Sequence, residues 1–257
     1  MSLVLFELKD RIGYITLNRP EKRNALSPEL VAGLKVALTK AEEDASVKVV
    51  VLKANGEAFC AGADLAYLQQ LQKFSFEENL ADSNSLKELF LKIYQLKKVV
   101  IAQVQGHALA GGCGLASVCD FVFAVPEAKF GYTEVKIGFI PAMVLVFLIR
   151  RIGEQKARQL LLSGDLLLGE DVLKFGLANR IVEKSKLDDE VYAFSQKLIQ
   201  NNSQQSMAFT KKMIDEVQSM KLNEALDYAV RMNAEMRATD DCKKGINSFL
   251  NKETMSW

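Results

Sequence analysis

Three stretches of this sequence carry residues suited to chemistry. Phe59-Cys60-Ala61-Gly62-Ala63-Asp64-Leu65 and Gly106-His107-Ala108-Leu109-Ala110-Gly111-Gly112-Cys113-Gly114-Leu115 are rich in small residues. Phe130–Pro141 holds one carboxylate, Glu134, among apolar and aromatic neighbours. A glycine-rich loop lets backbone approach a ligand closely. When a helix follows, its first N–H groups and its positive dipole end face that ligand. Two such loops can aim two N–H donors at one oxygen, as stabilisation of an oxyanion requires. The same spacing also fits ordinary tight turns. A buried Glu134 would have a raised pKa and suit general acid–base work; an exposed Glu134 would pair with Lys136.

Other chemistries find less support. Gly112-Cys113-Gly114-Leu115-Ala116-Ser117 approaches a dinucleotide fingerprint, and Glu134 lies 20 residues beyond Gly114. However, its third glycine is replaced by Ser117, and the loop follows a late strand rather than the first. Neither a phosphate-binding G-x-x-x-x-G-K-[ST] nor a G-x-S-x-G elbow occurs. The single histidine, His107, rules out a multi-histidine metal site and leaves Cys113–His107 as the one thiol–imidazole pairing to consider. Cys60, Cys113, Cys119 and Cys242 have no metal-ligand spacing and read as reduced thiols.

These loops need a scaffold, and the chain is long enough to build one. Its 257 residues are 49% apolar, which fits one large domain or one domain with an appendage. Thirty-three Lys and Arg against 32 Asp and Glu give a net charge of +1, which argues against nucleic-acid binding by bulk charge. No apolar run nears the roughly 18–20 residues that span a bilayer, and no secretory signal is evident, so a cytoplasmic, membrane-free protein is expected.

Strands alternate with helices in the first part. Val4–Leu8 and Ile12–Leu17 read as a hairpin about Asp10-Arg11. Ser27-Pro28 reads as a helix start, with Leu30, Leu34, Leu38 and Ala41 as its buried stripe. Val47–Lys53, Val99–Val104 and Phe121–Val125 read as strands, and Glu77–Leu96 as a helix. The order implies an α/β fold with a largely parallel sheet. Beyond residue 200, Met207, Ile214, Val217, Leu222, Ala225, Ala229, Met232 and Met236 recur at helical spacing. Either an intramolecular core or a subunit interface explains that stripe.

Taken in order, the segments resemble the crotonase superfamily, the enoyl-CoA hydratase/isomerase family. The resemblance rests on Asn18–Leu26, Phe59–Leu65, Gly106–Asp120, and Phe130-Gly131 with Glu134, Gly138 and Ile140-Pro141. Leu162-Ser163-Gly164, Gly176-Leu177-Ala178 and the ending Phe249-Leu250 to Trp257 also match. It implies a crotonase-type spiral of β-β-α turns over 1–195 that carries an acyl-CoA site. It further implies a helical C-terminal trimerisation region over 196–257, giving a homotrimer or a dimer of trimers. Ala63 and Gly111 match the two oxyanion donors, and Glu134 matches one of two catalytic glutamates. Lys22, Arg23, Ala25 and the Ala61, Gly62, Asp64 and Leu65 loop match the region that grips coenzyme A. Gly112, Gly114 and Ala142 line the acyl side. No metal and no redox cofactor is implied, since coenzyme A is part of the substrate.

One departure stands out. The first catalytic glutamate is absent, with Gly114 in its position. Some isomerases of the family work with one glutamate, and its decarboxylases also lack the pair. The segment Glu134–Ala142 resembles bacterial 3-methylglutaconyl-CoA hydratases, implying a short, branched acyl group. Hydration of a 2-enoyl-CoA is therefore expected, with double-bond migration or decarboxylation by Glu134 as the alternative. A catalytically weak RNA- or protein-binding module is the alternative of another class. Further expectations follow. Ala142 can present its N–H to a water. Gly111→Pro abolishes turnover with the fold recoverable, and Gly112→Ala is milder. A single acid makes hydration of crotonyl-CoA poor relative to double-bond migration, unless Glu77, Glu78, Asp82 or Glu88 supplies another acid from the neighbouring helix. Gly114→Glu is the comparison that tests this.

Overall fold

A computed structural model describes residues 2–253, 255 and 257. Among them lie ten strands and eleven α-helices. β1 (Val4–Lys9) and β2 (Ile12–Leu17) form the expected hairpin. Asp10 and Arg11 both take positive φ, 50° and 64°, as a two-residue turn matched to strand twist requires. α1 (Pro28–Glu43) starts where Ser27 Oγ accepts the Leu30 N–H, and it buries Leu30, Leu34, Leu38 and Ala41.

From there the chain winds through two sheets. β3 (Val49–Ala54) enters a large sheet and β4 (Ala58–Cys60) a small one, followed by α2 (Leu65–Leu71) and α3 (Phe76–Gln95). β5 (Val99–Val104) and β6 (His107–Leu109) repeat the step, then α4 (Gly111–Ser117). β7 (Phe121–Ala124) and β8 (Phe130–Gly131) repeat it again, followed by α5 (Ala142–Ile152) and α6 (Glu154–Ser163). β9 (Leu166–Leu167), α7 (Gly169–Phe175) and β10 (Arg180–Ile181) complete the sheets. The large sheet runs β1-β2-β3-β5-β7-β10 and is parallel from β2 onward. The small one runs β4-β6-β8-β9, with only β9 antiparallel. This is the α/β spiral of β-β-α turns that the resemblance implies.

Several boundaries differ from the sequence reading. The strand expected at Val47 starts at Val49, because the Val47 N–H closes a turn on the Asp44 carbonyl. The long helix starts at Phe76, after a reciprocal cap between Ser75 and Glu78. The division at residue 195 falls inside α8 (Leu187–Asn201), which buries Leu187, Val191, Ser195, Leu198 and Ile199 against the core. The tail proper is α9 (Gln204–Val217), α10 (Leu222–Arg237) and α11 (Asp240–Leu250). Among the described residues these three helices bury one side chain, Met232. Met207 packs against the core, but Ile214 is 58% exposed and Leu222 75%, so part of the apolar stripe of the tail finds no core among the described residues. No helix of the described residues is long and apolar enough to cross a membrane.

Buried lysines tie the layers together. The last carbonyls of a helix lack partners within it and carry its negative end. Lys98 Nζ donates to Ala41 O at the end of α1, 2.6 Å away. Lys211, from α9, donates to Ile93 O at the end of α3 and to Asp120 Oδ2 at 2.8 Å. Lys48 Nζ donates to Ile199 O at the end of α8, 2.6 Å away. Burial pulls Lys48 down from 10.5 to about 8. A folded pKa below the unfolded one means the unfolded chain binds more protons between those values. Wild type should therefore gain stability relative to Lys48→Met as pH rises from about 8 towards 10.5. Melting temperatures of both proteins across that range test this, and a difference that stays constant refutes it.

Candidate active site

Three strands of the small sheet end side by side. β4 runs into Ala61–Asp64, β6 into Ala110–Gly111, and β8 into Tyr132–Glu134. Their pairing brings the three sequence segments together. The Ala110 N–H donates to Gly131 O at 2.8 Å, and Ala61 N–H to Arg23 O at 3.0 Å. The two glycine-rich loops touch directly. Gly62 takes φ +92°, and a Cβ there would lie 2.9 Å from Ala110 Cβ and 3.6 Å from Gly111 N. A Cβ on Gly112 would lie 2.1 Å from the Cys60 carbonyl oxygen. The first turn of α4 thus rests on the end of β4 with no room for a methyl group.

The contact sets two N–H groups. Leu26 and Ala63 form an isolated parallel bridge, in which Leu26 N–H bonds Gly62 O and Asp64 N–H bonds Leu26 O. A bridge of that kind turns the N–H of Ala63 itself the other way. Gly111 is the first residue of α4, where the N–H has no intrahelical acceptor. Among the described residues neither N–H has an acceptor. Ala110 precedes Gly111 at φ 50°, ψ −126°, a conformation that costs a non-glycine residue about 1–3 kcal/mol.

Glu134 opens a 3-10 turn and is 9% exposed. Its Oε2 has no hydrogen-bond partner, and burial pushes its carboxyl above 4.5. Among the described residues it forms no ion pair, and Lys136 instead lies against Gly164. Tyr132, two residues before it, is fully buried, and its hydroxyl meets Ser117 Oγ at 3.1 Å. That bond fixes the approach to Glu134 against the far end of α4. Arg151 holds the same end, donating to Ser117 O at 2.9 Å and Cys119 O at 2.8 Å. Neither Tyr132 nor Arg151 stood out in the sequence, because their partners are a hydroxyl and carbonyls remote in the chain.

Of the acyl-side residues, Gly112 serves the loop contact, and Gly114 is buried in α4, one turn beyond Gly111. A Cβ on Gly114 would lie 2.2 Å from Val144 Cγ1. A glutamate at 114 would therefore have to displace Val144 before it could stand as a second acid. Ala142 is exposed and its N–H is spent on Ile140 O at 2.9 Å, so it does not present that N–H to a water. Cys113 is buried and its thiol is pushed up to about 11, while the exposed His107 ring accepts the Lys129 N–H. They form no nucleophile pair. The α3 acids are occupied: Glu78 caps its helix, Asp82 accepts the Tyr67 hydroxyl at 2.7 Å, and Glu88 pairs with Lys35. Glu77 lies exposed in the first turn.

The loop beside the donors splits into two kinds of residue. Lys22, Arg23 and Leu65 are exposed, with Ala25 buried behind them. The Asp64 carboxylate is used internally: it caps α2 through Ala66 and Tyr67 N–H and binds Arg19 Nη1 at 2.7 Å. Burial alone would raise its carboxyl; the bonds from Tyr67 N–H, Arg19 and Ala66 N–H outweigh that and hold it below the usual aspartate value. Asn24 is buried at φ 52° and donates to Asn55 O and Ala58 O, each at 2.9 Å. Together, Asp64 and Asn24 fix the loop from which Lys22 and Arg23 project. Among the described residues no group of three His, Cys, Asp or Glu side chains is placed to hold a metal ion.

The chain can be set beside known proteins. A family model described as enoyl-CoA hydratase/isomerase matches residues 7–257. A Thermus thermophilus protein classed among the enoyl-CoA hydratases is 42% identical over 244 residues, covering 95% of this chain and 96% of its own length. A crotonyl-CoA hydratase of Syntrophomonas wolfei is 31% identical over 251 residues, covering 97% and 95%. An enoyl-CoA hydratase structure from Mycobacterium smegmatis is similar with a TM-score of 0.92 at 32% identity, covering 99% of this chain and 98% of that one.

The glycine contacts give a direct test. Gly112→Ala must push β4 and α4 apart, and overpacking of this kind costs about 1–3 kcal/mol. Gly111→Ala meets only the tip of Leu26 at 3.2 Å and should fold normally. Thermal unfolding of both variants decides it, and equal melting temperatures would show that the close contact gives way freely.

Proposed function

The chain belongs to the enoyl-CoA hydratase/isomerase family, and we propose that it hydrates a short or branched 2-enoyl-CoA with Glu134 as its one catalytic carboxylate. The observation that carries this reading is the conjunction of two unengaged N–H groups, at Ala63 and Gly111, with a buried carboxylate oxygen that has no partner. The N–H pair would bind the thioester oxygen. Neutral donors fixed in advance stabilise the enolate without reorganising as its charge develops. Lys22 and Arg23, exposed and basic beside the donor loop, would meet the phosphates of coenzyme A. This chemistry requires neither a metal nor a redox cofactor.

In the proposed reaction Glu134 takes a proton from water as the water oxygen bonds to Cβ. The π electrons of the double bond move through Cα to the thioester oxygen, giving an enolate held by the two N–H groups. The enolate then collapses, and the protonated Glu134 returns its proton to Cα. One water is added and the carboxylate is regenerated. Loss of the second acid favours a second reading, double-bond migration. There Glu134 takes a proton from C2 of a 3-enoyl-CoA and returns it to C4 of the dienolate. Migration needs no water and one carboxyl suffices.

Glu134→Gln should lower kcat about 10²- to 10⁴-fold while thioester binding survives, the usual worth of a positioned general base. Near-full turnover by that variant removes Glu134 from the mechanism. In wild type the reaction needs Glu134 ionised, so kcat/KM should fall in one proton step as pH drops. The midpoint should lie above 4.5, because burial raises that carboxyl. Comparing crotonyl-CoA with 3-hexenoyl-CoA separates the two readings: brisk migration with little hydration promotes the isomerase.

We also propose that the tail assembles a homotrimer, or a pair of trimers. Its support is the uncovered apolar face of Leu222, Leu226 and Val230 with Phe249, 83% exposed. An apolar face of this kind marks an interaction site. Val230→Glu should lower the particle mass in light scattering, and a wild-type monomer would contradict the assembly.

A further inference from the structure

Gly114 and Val144 are coupled sterically. Val144, in the first turn of α5, is 5% exposed, and its Cγ1 lies 2.2 Å from where a Cβ on residue 114 would stand. Its own Cβ is 3.1 Å from that point, and Phe90 Cζ is 3.5 Å away. Phe90 is fully buried and meets Phe147 edge-on at 6.4 Å, while Tyr94 meets Phe147 at 5.2 Å. The space that a side chain at 114 would enter is therefore filled by Val144, with the Phe90 ring at its edge. Gly114 lies one helical turn beyond Gly111, on the stretch of α4 that leads away from the thioester oxygen.

We propose that Gly114 and Val144 form an interlock in which residue 144 determines both the reaction and the length of the acyl group. The proposal rests on the reading of Gly111 as an oxyanion donor. While Val144 is present, no acid can stand at 114, and Glu134 works alone. The same isopropyl group, backed by Phe90 and Phe147, ends the acyl pocket with an apolar wall. The substrate class is a thioester of a short acyl group, and a long straight chain is refused.

The test uses wild type, Gly114→Glu, Val144→Ala and the double variant. Gly114→Glu should lose melting temperature, and Val144→Ala in the same chain should restore most of it. The remaining 3.1 Å contact yields to a shift of a few tenths of an ångström. The double variant should then show a second ionisation in its pH–rate profile for crotonyl-CoA that Val144→Ala alone lacks. Binding of saturated butyryl-CoA and octanoyl-CoA, followed calorimetrically, reads the wall without any turnover. Val144→Ala should raise the octanoyl-to-butyryl affinity ratio about tenfold, the lower end of what a methylene is worth in an apolar pocket.

Gly114→Glu folding as stably as wild type would overturn the interlock, and an unchanged affinity ratio would overturn the wall. If wild type hydrates no enoyl-CoA, the proposed reaction fails, yet the melting and binding arms still decide on residue 144.

Discussion

The contact between Gly112 and the Cys60 carbonyl is the constraint from which the site follows. Backbone meets backbone there with no side chain between, so the first turn of α4 lies against the end of β4. That single approach puts the N–H that opens α4 beside the N–H that follows β4. Neighbouring features serve the same geometry. Gly62 takes a positive φ where its loop passes Ala110, and Ala110 takes a strained conformation where the chain enters α4 at Gly111. Strain of this size persists only where surrounding structure over-determines it. Here the Gly131 bond on one side and the Gly62 loop on the other do so.

The ionisable groups of the interior divide sharply. Lys48, Lys98, Lys211, Arg151, Asp64 and Asp120 are each buried to a large degree, and each is matched by carbonyls, N–H groups or an opposite charge. Glu134 is not. Among the described residues its Oε2 is one of two buried side-chain atoms without a partner, the other being Gln105 Oε1. Leaving such an atom unsatisfied costs about 1–3 kcal/mol. A chain that caps three helices with buried lysines has not run short of ways to pair a charge. The open oxygen is free to accept a hydrogen bond, and the raised pKa of the carboxyl follows from its burial.

Much of this was legible in the sequence, and the physical reason is period and local capping. The α1 stripe repeats every three or four residues, and Ser27-Pro28 announces its start within the chain itself. Glu134 is a lone carboxylate in an apolar segment; that pattern left burial and pairing with Lys136 both open, and the structure buries it. The small sheet gave no signal, since strands of two or three residues have no measurable alternation. Lysines that cap helices bond carbonyls, which carry no residue identity. The difference between Gly111 and Gly112, and the filling of the space beside Gly114, are facts of tertiary distance. Three glycines so close in sequence look alike until the atoms opposite them are known.

Helix α4 is only seven residues long, too short to be stable alone. Its geometry must therefore be imposed from outside, at both ends. At the N-terminus the Cys60 carbonyl and Gly131 do so. At the C-terminus Arg151 binds the carbonyls of Ser117 and Cys119, and Tyr132 reaches Ser117 from the strand that carries Glu134. Just beyond, Asp120 bonds the Val100 N–H and receives Lys211 from α9. Through that last pair the tail bears on the helix that holds the donor. Lys211 also donates to the carbonyls of Ile93 and Lys98, so one side chain of the tail ties the end of α3 to the far end of α4.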